Sequence, residues 1–395
     1  MSELPRTADA VVVGGGVHGA SVAYHLAKKR AGRVVLVEKK FLASGPTGRS
    51  TAVVRRHYAH DYLTVSANRS ADIYRNWKEI IGDECGYNEI GWVQFIGHQD
   101  RAAFEGVVAR ARELGAGVRM IGLDELKGLV PAMETGDVGA ACYEEHSGCG
   151  DPALTTNAYA NRARELGATI VQYTEVTRIR TAGDKAIGVS TPMGDIDAPA
   201  VVVCAGLWAN ALTAPLGASI PIQPQRHQMT IFRRPAEFPT HPAVYDLIQG
   251  TYCRPDHGDL TIYGITRYAE AADPERYNEA ADFEEILKTT EAIAYRFPVM
   301  ERGLSRGGYS GLYDTTPDHQ PVLGAVPQVS GLYVDCGWSG HGFKHSPITG
   351  HVISDLVLTG RFPDGLDASE FGVNRFREGR PIEPRATYSP PKYGA

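Results

Sequence analysis

The sequence predicts an α/β fold: a Rossmann-like nucleotide-binding domain, discontinuous in the chain, with an inserted α+β domain built on a mostly antiparallel sheet. Three observations carry that prediction. The stretch "DAVVVGGGVHGASVAYHLAKKRAGRVVLVEKK", residues 9 to 40, reads strand, glycine turn, helix, strand. The strand–helix alternation then stops after Glu38 instead of continuing. Buried-strand patterns return only much later, at "APAVVVCAGLWAN" and "GLYVDCGW", with strand-rich sequence between them.

Each element of the first stretch has a physical role. Ala10 to Val13 is an apolar run suited to a strand buried on both faces. Gly14, Gly16 and Gly19 follow in G-x-G-x-x-G spacing. The first permits a tight turn, the second lets backbone approach a pyrophosphate, and the third lets helix pack on strand. The helix from Val17 to about Lys29 points its free N–H groups at the phosphates. A second strand, Arg33 to Val37, ends at Glu38, nineteen residues beyond Gly19. A carboxylate there accepts both hydroxyls of an adenosine ribose.

The rest of the chain divides by pattern. Residues 1–86 hold the first part of the nucleotide domain, ending in the loop "FLASGPTGRSTAVVRRHY" and the helical "ADIYRNWKEIIG". Residues 87–147 begin the inserted domain with the strand-like "GWVQFIG" and the helical "DRAAFEGVVARARELGAG". Residues 148–220 return to the nucleotide domain, and 221–325 resume the inserted one with "QMTIF", "TYCRPDHGDLTIYG" and the helix "FEEILKTTEAIAYRF". Residues 326–377 close the nucleotide domain through strand, glycine-rich turn and helix. The tail 378–395, with Pro381, Pro384, Pro390 and Pro391, is expected to be extended or disordered.

Composition narrows the function. A chain of 395 residues is long for one core, so two domains are expected. The formal net charge of −6 argues against nucleic acid or an anionic membrane as the main partner. No apolar run reaches the length of a membrane span. "MSELPRTAD" leaves no room for a signal peptide before the first strand, so a cytoplasmic location is expected. Six scattered cysteines (Cys85, Cys142, Cys149, Cys204, Cys253 and Cys336) form no disulfide framework. "CYEEHSGC" fits no common zinc spacing, and no metal is expected.

The closing turn carries the chemistry. Gly337, Gly340 and Gly342 precede a helix starting near Pro347, and Trp338 and Phe343 stand beside them. Glycines there let a planar ring approach the backbone, and the helix end offers N–H groups to a developing negative charge. Because the chain returns several times to one cofactor, a long one, FAD, is expected rather than NAD.

These motifs resemble the D-amino-acid oxidase superfamily of flavoproteins, within it the sarcosine oxidase and sarcosine dehydrogenase branch. The resemblance rests on "VVVGGGVHGASVAYHLAKKRAGRVVLVEK", on "VVVCAGLWAN", and on "GLYDTTPDHQPVLG" followed by "GLYVDCGWSGHGFKHSPITG". It implies FAD-dependent oxidation of a C–N bond, with hydride transfer to flavin N5. The substrate implied is a small secondary or N-methylated amino acid, and its imine product hydrolyses. Arg55 and Lys344 would hold the substrate carboxylate, and Tyr252 would line the substrate side. Cofactor contacts would come from Val17, His18, Glu38, Lys39, Thr47, Gly48, Arg49, Ser50 and Thr51. Later segments would add Val176, Ala205, Gly206, Trp208, His341, Phe343 and Lys344. Oxidation of D-amino acids or glycine is the alternative, and a flavin-binding electron-relay subunit of a larger complex is another. Oxygen or an electron-transfer partner would accept the electrons, in a homo-oligomer or with a partner subunit. Gly311 replaces the cysteine that anchors flavin in monomeric sarcosine oxidases, and "SGPTGRST" lacks the anchoring histidine of the dehydrogenases, so noncovalent FAD is expected. Thr261 is expected where the family's oxygen-activating lysine stands, which implies a slow reaction with oxygen.

Overall fold

The computed structural model describes residues 4–266, 271–383 and 386–392. Its organising element is a six-stranded sheet. Four of its strands, Ala200–Val203, Ala10–Val13, Val34–Val37 and Thr169–Val171, lie side by side and parallel. Leu332–Cys336 continues the parallel set beyond Ala200–Val203. Their Val-rich sequences are buried on both faces, as parallel strands under helices require. The helices that matter here are α1 (Val17–Lys28), α2 (Asp61–Arg75), α3 (Pro152–Glu165), α4 (Phe283–Arg296) and α5 (Ser346–Thr359). Helix α1 packs between α3 and α5 on one face of the sheet. The approach to α5 is close: a Cβ on Gly350 would lie 2.2 Å from Ser21 Oγ, and that hydroxyl donates to Ser346 O at 2.7 Å.

One boundary differs from the sequence reading. Val322–Ala325, expected in the inserted domain, is the antiparallel edge of the six-stranded sheet and pairs with Leu332–Cys336. The short connection between them makes a hairpin, and a hairpin keeps both strands in one sheet. Periodicity along a four-residue apolar strand carries no information on which sheet receives it.

The inserted region forms an eight-stranded sheet. All its neighbouring strands are antiparallel except Ala243–Asp246 beside Trp92–Gly97. One face packs on α4 through Phe95, Phe232, Tyr263, Ile293 and Phe297. The other face turns toward the nucleotide domain. Cross-strand partners share a face, so Met229, Gly264 and Tyr252 stand together there, as do His227 and Gly311.

The tail makes neither helix nor strand over its described residues 378–383 and 386–392. It is held to the inserted domain: Ser389 N donates to the Asp100 carboxylate at 3.2 Å and Lys392 N to Ile248 O at 3.0 Å. Pro384 lies outside the described residues.

Candidate functional site

A cavity of about 500 Å³ runs from the carboxyl ends of the parallel strands to the inserted sheet. Gly14, Gly16, Val17 and His18 line it where the first strand enters α1. Gly14 has φ +109°, and a Cβ there would lie 2.4 Å from Cys204 O, so the turn passes the returning strand only as glycine. Gly16 has no side chain to cap α1; Val17 N–H donates to Thr47 Oγ1 at 3.2 Å, and the next amides of the first turn are left for a ligand. Gly19 is off the wall. Its absent Cβ would meet Gly14 O at 2.0 Å, the packing role its spacing implied.

Glu38 also lines the cavity. Its two oxygens accept Gly15 N at 2.6 Å and Lys40 N at 2.7 Å, which fixes the carboxylate and leaves lone pairs for hydroxyls. Val176, Ala205, Gly206, Thr47, Arg49, Ser50 and Thr51 share the wall. Gly48 does not. It sits in a turn where a Cβ would lie 2.4 Å from Ala43 O. Lys39 and Trp208 are joined by a residue the sequence reading missed: Glu275 takes Lys39 Nζ at 2.7 Å and Trp208 Nε1 at 2.6 Å, and the ammonium stands 3.7 Å over the indole. No local pattern joins residues so far apart in the chain.

At the other end, Gly340, Gly342, Phe343, Tyr252 and Gly311 line the cavity. Gly337, His341 and Lys344, expected on the cofactor, are not on this wall. Gly337 is packed against Thr316, and its N–H donates to the Asp314 carboxylate at 2.7 Å. His341 Nε2 pairs with His319 O at 3.0 Å, and Lys344 Nζ donates to His341 O at 3.2 Å. The reason is local. A single 3₁₀ turn, Phe343–His345, precedes α5, so Phe343 lies on the cavity wall while the Lys344 side chain is directed elsewhere.

Lys344 is directed toward Arg55. The Arg55 guanidinium stacks 3.7 Å from the Tyr58 ring centre, and Lys344 Nζ lies 6.0 Å from the same centre. Arg55 also lies 5.9 Å from Trp92, whose ring packs on Tyr245, the strand partner of Tyr252. Contacts therefore run from Tyr252 on the cavity wall through the two cations to Phe343, on the wall again. Lys344 is buried, and burial, then the nearby Arg55 charge, push its pKa well below the usual lysine value. Among the described residues no carboxylate lies within ion-pair distance of either cation. Tyr58 and Trp92 were missed in the sequence, although "RRHY" sets an aromatic ring three residues after Arg55.

The cavity suits an extended dinucleotide. Free helix amides and an acid serve the adenosine and diphosphate, and glycines with Phe343 and Tyr252 serve a planar ring. Residues 9–356 match the family described as FAD dependent oxidoreductase, DAO. The chain belongs to this family. Its cofactor is FAD, and it is an oxidoreductase of amines or amino acids acting on CH–NH bonds. It is 29% identical to sarcosine oxidase subunit beta of Rhodobacter capsulatus, over 96% of this chain and 91% of that one. It is 27% identical to human mitochondrial sarcosine dehydrogenase over 97% of this chain, which spans 43% of that protein's length. Among solved structures, L-proline dehydrogenase from P. horikoshii superposes with a TM-score of 0.89 at 27% identity, covering 96% of this chain and 100% of that one.

Two expectations follow from the wall. Gly311 offers no attachment atom, and the thiols of Cys204 and Cys336, both on the wall, are pushed well up by burial and stay protonated. Acid precipitation should therefore release all the yellow colour to the supernatant, and colour left in the protein pellet would show a covalent bond. The second concerns oxygen. Thr261 is fully buried on the core face of its strand, donating to Arg254 O at 2.8 Å beneath His241, and does not face the cavity. The cavity-side positions of that strand are Ile262 and Gly264, so the expectation built on Thr261 has no basis in the structure. Thr261→Lys should not speed reoxidation by air. It should lower thermal stability by several kcal/mol, because it buries an unpaired ammonium; faster reoxidation in a stable variant would reverse this assignment.

Proposed function

We propose that the enzyme oxidises the C–N bond of a small amino acid whose nitrogen is secondary or N-methylated, giving an imine that water hydrolyses. The observation that carries this reading is the pair Arg55 and Lys344, both near the Tyr58 ring, with no carboxylate within ion-pair distance of either among the described residues. A buried ammonium beside a half-buried guanidinium is costly unless a ligand anion completes the pair. A substrate carboxylate does so with a bidentate guanidinium on one side and a point charge on the other.

Bound FAD supplies the two-electron acceptor. The chain's own residues bind and orient: the cations fix the carboxylate, and Tyr252, Tyr245 and Trp92 wall the site with aromatic surface. A cationic site also favours the neutral amine over the ammonium, so the substrate nitrogen loses its proton on binding without a dedicated base. The N-alkyl preference is supported by the relatives, which are named for sarcosine. The relative named as a beta subunit supports a further subunit in the assembly.

Anaerobic mixing tests the reading. Sarcosine, N-methylated larger amino acids and cyclic imino acids should bleach the flavin. If glycine or D-alanine alone did so, the N-alkyl preference would fall and the primary-amine alternative would stand.

A further inference from the structure

His18 occupies the first turn of α1, on the cavity wall, and both its ring nitrogens are engaged. Nδ1 lies 3.0 Å from Asp335 Oδ2, and Nε2 lies 3.0 Å from Gly342 O. Both partners are acceptors. A neutral imidazole has one N–H and satisfies only one of them; the imidazolium has two and satisfies both. Asp335 is itself fixed as an acceptor, because its other oxygen takes the Trp338 indole N–H at 2.7 Å. The Trp338 ring then stacks on His18 at 4.7 Å. The fit leaves no slack: a Cβ on Gly342 would lie 2.9 Å from His18 Nε2.

The bonds join two separate parts of the cofactor wall. Helix α1 brings the free amides at its N-terminus, and the turn containing Gly340, Gly342 and Phe343 brings the other end of the cavity. We propose that His18 is a positioning residue for FAD: as an imidazolium it ties the first turn of α1 to the glycine-rich turn and sets one fixed positive charge in the wall of the diphosphate-bearing cofactor.

The surrounding charges agree. Burial opposes the charge on His18, but Asp335, by its charge and its hydrogen bond, outweighs it, and the Gly342 carbonyl and Asp314 add to it, so the pKa is raised. His345, at the start of α5, faces the same group; burial holds its own pKa well down, so it stays neutral and adds no repulsion. A group whose pKa is raised in the folded protein contributes below that pKa and loses its contribution as pH rises through it. FAD affinity should follow the same course, declining as pH rises through the raised His18 pKa.

Apoprotein reconstituted with FAD, with binding read from flavin fluorescence, tests this. His18→Met should weaken FAD binding about 10- to 100-fold at pH 7, the scale of hydrogen bonds to a charged group, and should remove the decline with rising pH. Binding within twofold of wild type, with the same pH profile, would overturn the proposal. If the variant does not fold, nitrogen-15 NMR of the wild-type holoprotein decides instead. Two ring N–H groups on His18 at pH 7.5 are expected, and a single neutral tautomer would overturn it.

Discussion

Arg55→Met and Lys344→Met should each lower kcat/KM by about 30- to 1000-fold while FAD remains bound at full occupancy. The magnitude is that of losing one charge-assisted interaction in a site away from water, about 2–4 kcal/mol. FAD retention follows from the geometry, since neither side chain lines the cofactor cavity. The two variants should differ in kind. Arg55 also donates to His57 O and stacks on Tyr58 and Trp92, so its loss loosens the aromatic wall and should affect kcat as well as KM. Among the described residues the Lys344 ammonium makes one hydrogen bond, to His341 O, and its loss should appear mainly in KM. Anionic competitors should weaken in parallel with substrate in both. If steady-state kinetics of both variants match wild type, the carboxylate site lies elsewhere.

The parts of the site legible in the sequence were those set by backbone geometry. Gly14, Gly16, Gly19 and Glu38 announce a nucleotide because a tight turn, a close approach and a helix–strand contact each demand glycine within one short segment. The valine runs announced the parallel sheet for a similar reason, being buried on both faces. What escaped was whatever depends on residues distant in the chain. Glu275 joins Lys39 to Trp208, and Trp92 flanks Arg55, and neither contact has a period or a spacing. A one-residue offset also hid the face of Thr261, because side chains alternate along a strand and a shift of one moves a residue from cavity to core. The same sensitivity applied at Lys344, where one turn of 3₁₀ helix separates the side chain from the wall lined by Phe343.

A buried lysine that awaits an anion should trade stability for activity, and pH should expose the trade. Burial and the Arg55 charge hold the Lys344 pKa well below its value in the unfolded chain, with Glu144 opposing them only in part. Folding therefore tends to expel the Lys344 proton. Below the folded-state pKa the ammonium is buried at full cost. Between the folded and unfolded pKa values that cost is progressively relieved, so this residue's contribution to stability improves as pH rises. Lys344→Met should accordingly be more stable than wild type at neutral pH, on the order of 1 kcal/mol, with the gap narrowing toward alkaline pH. Activity should move in the opposite direction. Only the charged lysine holds the carboxylate, so wild-type kcat/KM should fall by up to tenfold per pH unit above the lowered pKa. The Met variant, already weakened, should lack that limb and keep only the rise at lower pH from deprotonation of the substrate amine. Thermal melts across pH beside kcat/KM profiles of both proteins provide the measurement. A Lys344→Met variant that is less stable than wild type at pH 7 and retains the alkaline limb would mean that the ammonium is already compensated within the fold.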